Sequence, residues 1–333
     1  MAKKFSWRKA SIALMMGSAL ALSGCSSEGG REPATNEGTG GGGQVADTER
    51  MTIALITHAA PGDTFWDIVR KGAETAAQKD NVELLYTSDP EGGRQAQLVA
   101  QAVDQGVDGI AVTLAKPDAL KSALAEAEEA GIPVVSLNAG EDASEELGAF
   151  THFGQNEKVA GEAVGERLDE MGMTHPVCVI QEQGHVGLEA RCAGVKEIIP
   201  ETEILYVQGT DMTQVQSTVT AKLQTGGDID SIIGLGAPFT MTILQSVEDV
   251  GSDATVASFD LNSELAQEIV DGNVAFTVDQ QPFVQGYMAI DSLWLNNMGG
   301  FTVGGGEPVL TGPAVVDQEQ AEEVLQYAEE GLR

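Results

Sequence analysis

The sequence predicts an α/β protein made of two similar lobes, each a parallel sheet with helices on both faces. Three observations carry that reading. From Thr52 onward, short apolar runs alternate with segments of helical period, the order that produces covered parallel sheets. The alternation restarts beyond Gly154, so two blocks of similar size follow one another, although no sequence repeat is evident. Polar residues such as Asp63, Asp89, Thr113 and Asn138 stand at or past the ends of the apolar runs, at the carboxyl edge where open α/β sheets hold ligands. A cleft between the lobes is the expected site.

The first element sets the pattern. Residues 53–56 are apolar throughout, suited to a strand buried on both faces, and the chain then turns polar through Pro61 and Gly62. Asp63 is placed to cap a helix that starts at Phe65 and Trp66 and runs to residue 79, with apolar or small residues at 65, 68, 69, 72, 73 and 76. A carboxylate beside two aromatic rings suits a sugar, since the carboxylate accepts from hydroxyls and a ring covers the C–H face. The same rings equally suit packing of the first helix onto the core. Strands are then expected over 82–86, 109–114, 132–137 and 149–154, with helices over 95–105 and 119–130 between them. Gln155 and Asn156 lead into a helix ending near 171. The second block reads as strands over 177–183, 204–207, 231–235, 255–259 and 274–278, alternating with helices over 188–199, 213–223, 239–250 and 263–270. Helices over 283–297 and 317–331 complete it.

Ahead of this part, Lys3, Lys4, Arg8 and Lys9 precede the apolar run 10–22, which has the form of a secretory signal and is too short for a stable membrane span. It ends in Leu22-Ser23-Gly24-Cys25, which resembles a bacterial lipobox. Residues 1–24 are therefore expected to be removed and Cys25 to receive lipid, anchoring the chain outside a cell membrane; the alternative is an ordinary secretory signal with a chance cysteine. Residues 25–50 are dominated by Gly, Ser, Thr and Glu without periodicity and read as a flexible linker. Removing the four signal cations leaves 14 basic against 51 acidic residues, a net charge of −37. That balance argues against nucleic acid or anionic lipid as partners, because both need a basic surface.

Cys178 and Cys192 remain, in a compartment that permits disulfides. A bridge between them and two separate buried thiols are both compatible with the sequence. Neither spacing nor neighbours suggest a zinc site or a redox pair. There is no G-x-x-x-x-G-K-[ST], H-E-x-x-H or G-x-S-x-G motif, and Gly234-Leu235-Gly236 lacks the third glycine of a dinucleotide turn. His58, His152, His175 and His185 show no pairing at ligand or triad spacing, although His58 and His185 each follow a strand into a loop facing the cleft.

The fragments IALIT, DTFW, GVDGIAV, GIPVVSLN, GQN before a helix, GHVGLEARCAGV, VASFD and VDQQPFVQG stand in this order over residues 52–318. Together they resemble the periplasmic sugar-binding proteins of ABC transporters, in the branch of the ribose- and galactose-binding proteins. The resemblance implies the type I fold, two Rossmann-like lobes with parallel sheets joined by a three-crossing hinge that closes over a sugar. It implies an N-terminal lobe of 51–154 with 281–310 and a C-terminal lobe of 155–280 with 311–333. It also implies a monomeric solute-binding lipoprotein rather than an enzyme, served by ABC permease subunits and needing no cofactor or metal. The ligand contacts it carries over are Asp63, Phe65, Trp66, Asn138, His185, Arg191, Asp260 and Gln280. Read singly, Asp260 also suits a helix cap, Arg191 a surface ion pair and Gln280 a hinge linker. Together they suit a neutral polyol, because carboxylates accept, Arg191 donates and amides do both.

The pattern also departs from the family. Gly236-Ala237-Pro238 stands where many members have an Asn-Asp pair, and Ala139 where ribose binders carry an arginine. A cyclitol such as inositol is thus as well supported as ribose or galactose. Three rival readings remain beside transport. A repressor domain of this fold requires a DNA-binding helix-turn-helix where this chain has the lipobox. A lipoprotein presenting its sugar to a membrane sensor is not separated from a transport protein by sequence. A glycoside-cleaving enzyme requires two carboxylates about 5–10 Å apart, and Arg191 and the amides favour holding over hydrolysis.

Overall fold

Two six-stranded sheets face each other with their carboxyl edges toward a common cleft. The structure is a computed structural model and describes residues 45–60 and 62–333. The signal segment expected over 1–24, Cys25 and most of the linker lie outside the described residues. Among the described residues no helix is long and apolar enough to cross a membrane.

The first block runs β1 (Met51–Thr57), α1 (Phe65–Asp80), β2 (Val82–Ser88), α2 (Gly92–Gln105), β3 (Gly109–Thr113), α3 (Pro117–Glu129), β4 (Val134–Asn138), a short α4 (Glu141–Ser144) and β5 (Ala149–Gly154). The second runs α5 (Glu157–Glu170), β6 (Pro176–Ile180), α6 (Val186–Ile198), β7 (Glu203–Tyr206), α7 (Met212–Thr225), β8 (Ser231–Gly234), α8 (Ala237–Val250), β9 (Thr255–Phe259), α9 (Ser263–Val270) and β10 (Phe276–Asp279). Then come α10 (Pro282–Gly299), β11 (Val309–Leu310), β12 (Ala314–Val316) and α11 (Gln318–Glu329). The strand orders are β11-β5-β4-β3-β1-β2 and β12-β10-β9-β8-β6-β7. All pairings are parallel except β10 with β12. The inner strands β3, β4, β6 and β8 are buried along their whole length, as their continuous apolar runs require, whereas β2 and β7 at the edges are partly exposed.

Two details position the cleft. Helices α1 and α10 meet at Gly72 and Gly286, and α5 and α6 meet at Gly161 and Gly194. A β-carbon at any of these four glycines would collide with the backbone of the facing helix, so only glycine lets each pair approach this closely. The second detail is the junction. The chain passes between the sheets at 155–156, 280–281 and 311–313, and the buried Thr311 hydroxyl reaches the Gly154 carbonyl at 3.1 Å and the Gln280 carbonyl at 2.7 Å. One small side chain therefore ties all three crossings together. The sequence reading contained neither β11 nor β12, whose two and three residues are too short for a periodicity signal.

Cys178, in the middle of β6, and Cys192, on α6, are disulfide-bonded with Cα atoms 5.8 Å apart, and both are fully buried. The bond staples the helix that carries Arg191 to its sheet. Reduction should lower the unfolding free energy by about 3 kcal/mol, the chain-entropy value for a loop of about 15 residues. Urea unfolding of the wild type with and without reductant measures this, and coincident midpoints would show that no such bond forms.

Candidate functional site

All eight residues carried over by the resemblance line one cavity of about 370 Å³ between the lobes. That volume lies within the range of about 300–1,000 Å³ usual for small-molecule pockets. From the first lobe come the loop after β1 and the start of α1. Thr64, not Asp63, is the helix-flanking residue, but Asp63 Oδ1 accepts the Phe65 backbone N–H at 3.1 Å, so its carboxylate is fixed just ahead of the helix. The Phe65 and Trp66 rings pack edge to face, 5.0 Å between centroids, and belong at once to the core and to the cavity wall. The packing and binding roles weighed for these rings are thus compatible.

Asn138 and Asp260 end β4 and follow β9, and both adopt left-handed backbone angles, with φ of 66° and 64°. Such angles cost a non-glycine residue about 1–3 kcal/mol and concentrate at functional sites. Asn138 Nδ2 donates to Gln280 Oε1 at 3.1 Å, and Gln280 Nε2 donates to Asp260 Oδ1 at 2.6 Å. Asp260 Oδ2 stands 3.8 Å from Arg191 Nη1. An amide–carboxylate–guanidinium chain therefore runs from the first lobe through the hinge into the second.

Arg191 is 3 % exposed and its guanidinium is largely committed. Nε and Nη2 donate to the two carboxylate oxygens of Glu157 at 2.6 and 2.9 Å, Nη1 donates to the Leu235 carbonyl at 3.3 Å, and the group lies 4.7 Å from the Phe259 ring centroid. Burial opposes its charge, yet the carboxylates of Glu157 and Asp260 outweigh this and hold the group above its ordinary value. These three hydrogen bonds leave one N–H on each of Nη1 and Nη2, with Asp260 Oδ2 3.8 Å from Nη1. Burial pushes Asp260 up to about 7 against the pull of Arg191 and Gln280, and pushes Asp63 up to about 6 against the Phe65 N–H.

The absence of histidine pairing read from the sequence is corrected by the structure. His185 Nε2 lies 3.0 Å from His58 Nε2 across the cleft. His185 Nδ1 accepts the N–H groups of Gly187 and Leu188 as the N-cap of α6, so both its ring nitrogens are occupied and neither is free for a hydroxyl. Glu182, His58 and His185 place potential ligand atoms within 4.8 Å of one another. They do not fit a cation: the capped His185 presents N–H rather than a lone pair at Nε2, and Glu182 is paired with Lys116 at 2.8 Å. Sequence reasoning also missed Glu157, Lys116, Gln181 and Phe239 in or behind this wall. Glu157 sits in the first turn of α5, where an acidic residue already has a reason to be; the others begin helices or lie in loops with no motif around them.

The periplasmic binding protein domain family matches residues 53–299. The chain is similar to a carbohydrate transporter protein from Acidothermus cellulolyticus 11B whose crystal structure holds myo-inositol, with 49 % identity, a TM-score of 0.84, and 85 % of this chain and 100 % of that chain covered. It is also similar to the xylose/arabinose-binding protein of Sulfolobus acidocaldarius, 24 % identical over 76 % of this chain and 68 % of that protein. The ribose import binding protein of Bacillus subtilis is 23 % identical over 73 % of this chain and 81 % of its own length.

The carboxyl groups give a test with a definite sign. A carboxyl whose value is raised by folding contributes stability below its unfolded value near 4, and that contribution is lost as pH rises through the folded value. Asp260→Asn removes the cost of the buried charge. The ligand-free variant should melt with the wild type near pH 4, pull ahead by a few degrees between about pH 4 and 7, and hold that lead above pH 7. Scanning calorimetry across this range reads it; a variant less stable than wild type at pH 8 would mean that ion pairing with Arg191 outweighs burial.

Proposed function

This chain belongs to the periplasmic binding protein family, a family of binding proteins and not of enzymes, and on that premise we propose that it captures a neutral cyclitol or monosaccharide between its lobes. The observation that carries this reading is the composition of the cavity wall. Asp63 and Asp260 offer acceptors, Arg191 and Asn138 offer donors, Gln280 bridges them, and Phe65 and Trp66 supply an apolar face. A ring with a hydroxyl on most carbons satisfies such a set from both lobes at once. A phosphate would add an anion to a buried site that already holds two carboxylates, at high desolvation cost. Among neutral polyols, the likeness to the myo-inositol-bound Acidothermus protein favours a cyclitol.

Within this proposal the protein works as a monomeric lipoprotein held at the outer face of the cell membrane through Cys25, and its closed form delivers the ligand to the permease subunits of an ABC importer. The lipobox ahead of the linker supports the anchor. The names of the curated relatives, a ribose import binding protein among them, support import.

A panel of cyclitols, aldoses and sugar phosphates, read by thermal shift, tests the ligand class. Myo-inositol or a neutral aldose should raise the melting temperature and change the fluorescence of Trp66, and sugar phosphates should do neither. Asp260→Ala should weaken that binding by roughly 10- to 100-fold, as expected for loss of a hydrogen bond to a charged group. Binding of sugar phosphates without neutral sugars, or unchanged binding by Asp260→Ala, would overturn the assignment.

A further inference from the structure

One contact between the lobes is made by two side chains whose nitrogens are all accounted for. His185 Nδ1 must carry a lone pair, because the Gly187 and Leu188 backbone N–H groups point at it from 3.1 and 3.3 Å. Neutral His185 therefore holds its proton on Nε2 and donates to His58 Nε2, 3.0 Å away. With its Nε2 accepting, neutral His58 carries its proton on Nδ1, 2.7 Å from Thr113 Oγ1, an oxygen that also receives the His58 backbone N–H at 3.0 Å and Gln95 Nε2 at 3.1 Å. Each nitrogen has one role, and a second proton has nowhere to go. On His185 Nδ1 it would meet two backbone N–H groups, and on His58 Nε2 it would meet the His185 N–H. The neighbouring Ala115 carbonyl accepts the Val186 N–H at 3.0 Å, so backbone, ion pair and imidazoles close one rim of the cleft together. The His58 ring also lies edge-on to Trp66 with centroids 4.7 Å apart, which links the rim to the ligand-facing ring.

We propose that His58 and His185 form a cross-cleft latch that closes only while both imidazoles are neutral, so that acid opens the lobes and releases the ligand. This rests on the reading that the protein closes over a ligand. The charged groups around the pair do not compensate a second proton. Lys116 and Arg191 both face it and oppose added positive charge. Glu182 is engaged by Lys116, Glu157 and Asp260 by Arg191, and Asp63 by the Phe65 N–H. Glu91 lines the same cavity, and no carboxylate hydrogen-bonds to either ring among the described residues. Burial holds both imidazoles far below their ordinary value, His58 at about 3. When the lobes part, each ring regains water and its ordinary value of about 6.5. Closing in acid must then expel two protons. The carboxyl groups act with the opposite sign: buried Asp63 and Asp260 take protons up on closing, which would tighten binding in acid.

The test is the dissociation constant of myo-inositol by calorimetry at about pH 7.5 and about pH 5.5, for wild type, His58→Gln, His185→Asn and the double variant. Asn at 185 retains a helix cap. Between the two pH values the wild type should weaken by roughly 100-fold relative to the double variant, and each single variant by roughly 10-fold, one factor of ten per histidine of ordinary value about 6.5. A double variant that keeps the wild-type slope, or a wild type that differs from it by less than about threefold, overturns the latch. Should myo-inositol give no heat at the higher pH, the cyclitol assignment is what fails. Small-angle scattering of the ligand-free chain then decides the latch. A wild type more compact at the higher pH, with no such change in the double variant, supports it; equal radii overturn it.

Discussion

The cleft depends on a buried guanidinium. Arg191 has almost no contact with water, and an unpaired charge in that position would cost several kcal/mol. It is tolerated because Glu157 meets it with both oxygens, and that geometry requires α5 and α6 to lie nearly in backbone contact. Gly161 sits against the Arg191 backbone and Gly194 against that of Lys158 and Glu162, so any larger residue at either point would drive the two helices apart. The Cys178–Cys192 bond fixes the same helix to β6 one residue beyond Arg191. Helix spacing, disulfide and ion pair are thus one construction, and it holds a cavity-lining guanidinium whose charge is met by Glu157.

How much of this was legible follows from the range of each signal. The alternation of apolar runs and helical segments is local, and both sheets with nearly all their helices follow from it. The cavity-lining residues of single loops, such as Asp63 with Phe65 and Trp66, are also local and could be picked out. Pairings made only by folding carry no such trace. Glu157 and Arg191 are 34 residues apart, and His58 and His185 are 127 apart. Each has a bland local reason to be where it is: Glu157 begins a helix and His185 caps one. Thr311 is the extreme case, a single hydroxyl in a short connection that binds two of the crossings and sits in the third.

Apart from Asn81, which caps the C-terminus of α1, the left-handed non-glycine residues lie around the cleft and its crossings, where the fold gives up stability. Asn138, Asp260 and Gln281 all adopt φ near 60°, and all three lie at strand ends or at the crossings. Glycine would relieve the strain but would remove the side chains that the chain Asn138–Gln280–Asp260 needs. The strain is held by what surrounds it. Thr311 and Gln285 anchor the Gln280 carbonyl, and Gln281 Nε2 returns to the Thr311 carbonyl at 2.7 Å. A junction pinned this way can flex at its backbone angles without loosening either core, which is what closure about a hinge demands.

A ligand can shift the balance between open and closed lobes only by interacting better with the closed one. Near neutral pH the cost of closing lies chiefly with Asp63 and Asp260, whose ionised forms burial disfavours, since the histidines are then already mostly neutral. Hydroxyl groups that donate to those carboxylates replace the water lost on closing and remove that cost. A ligand with few donors leaves the carboxylates desolvated with only their protein partners, and one bearing its own negative charge worsens them. On the proposed reading, donor-rich neutral rings close the lobes through the groups that make closing costly in their absence. On the same reading, the apolar face of Phe65 and Trp66 would add affinity without discriminating among such rings, and selectivity would rest with the carboxylates and with the two Arg191 N–H groups that Glu157 and the Leu235 carbonyl do not take.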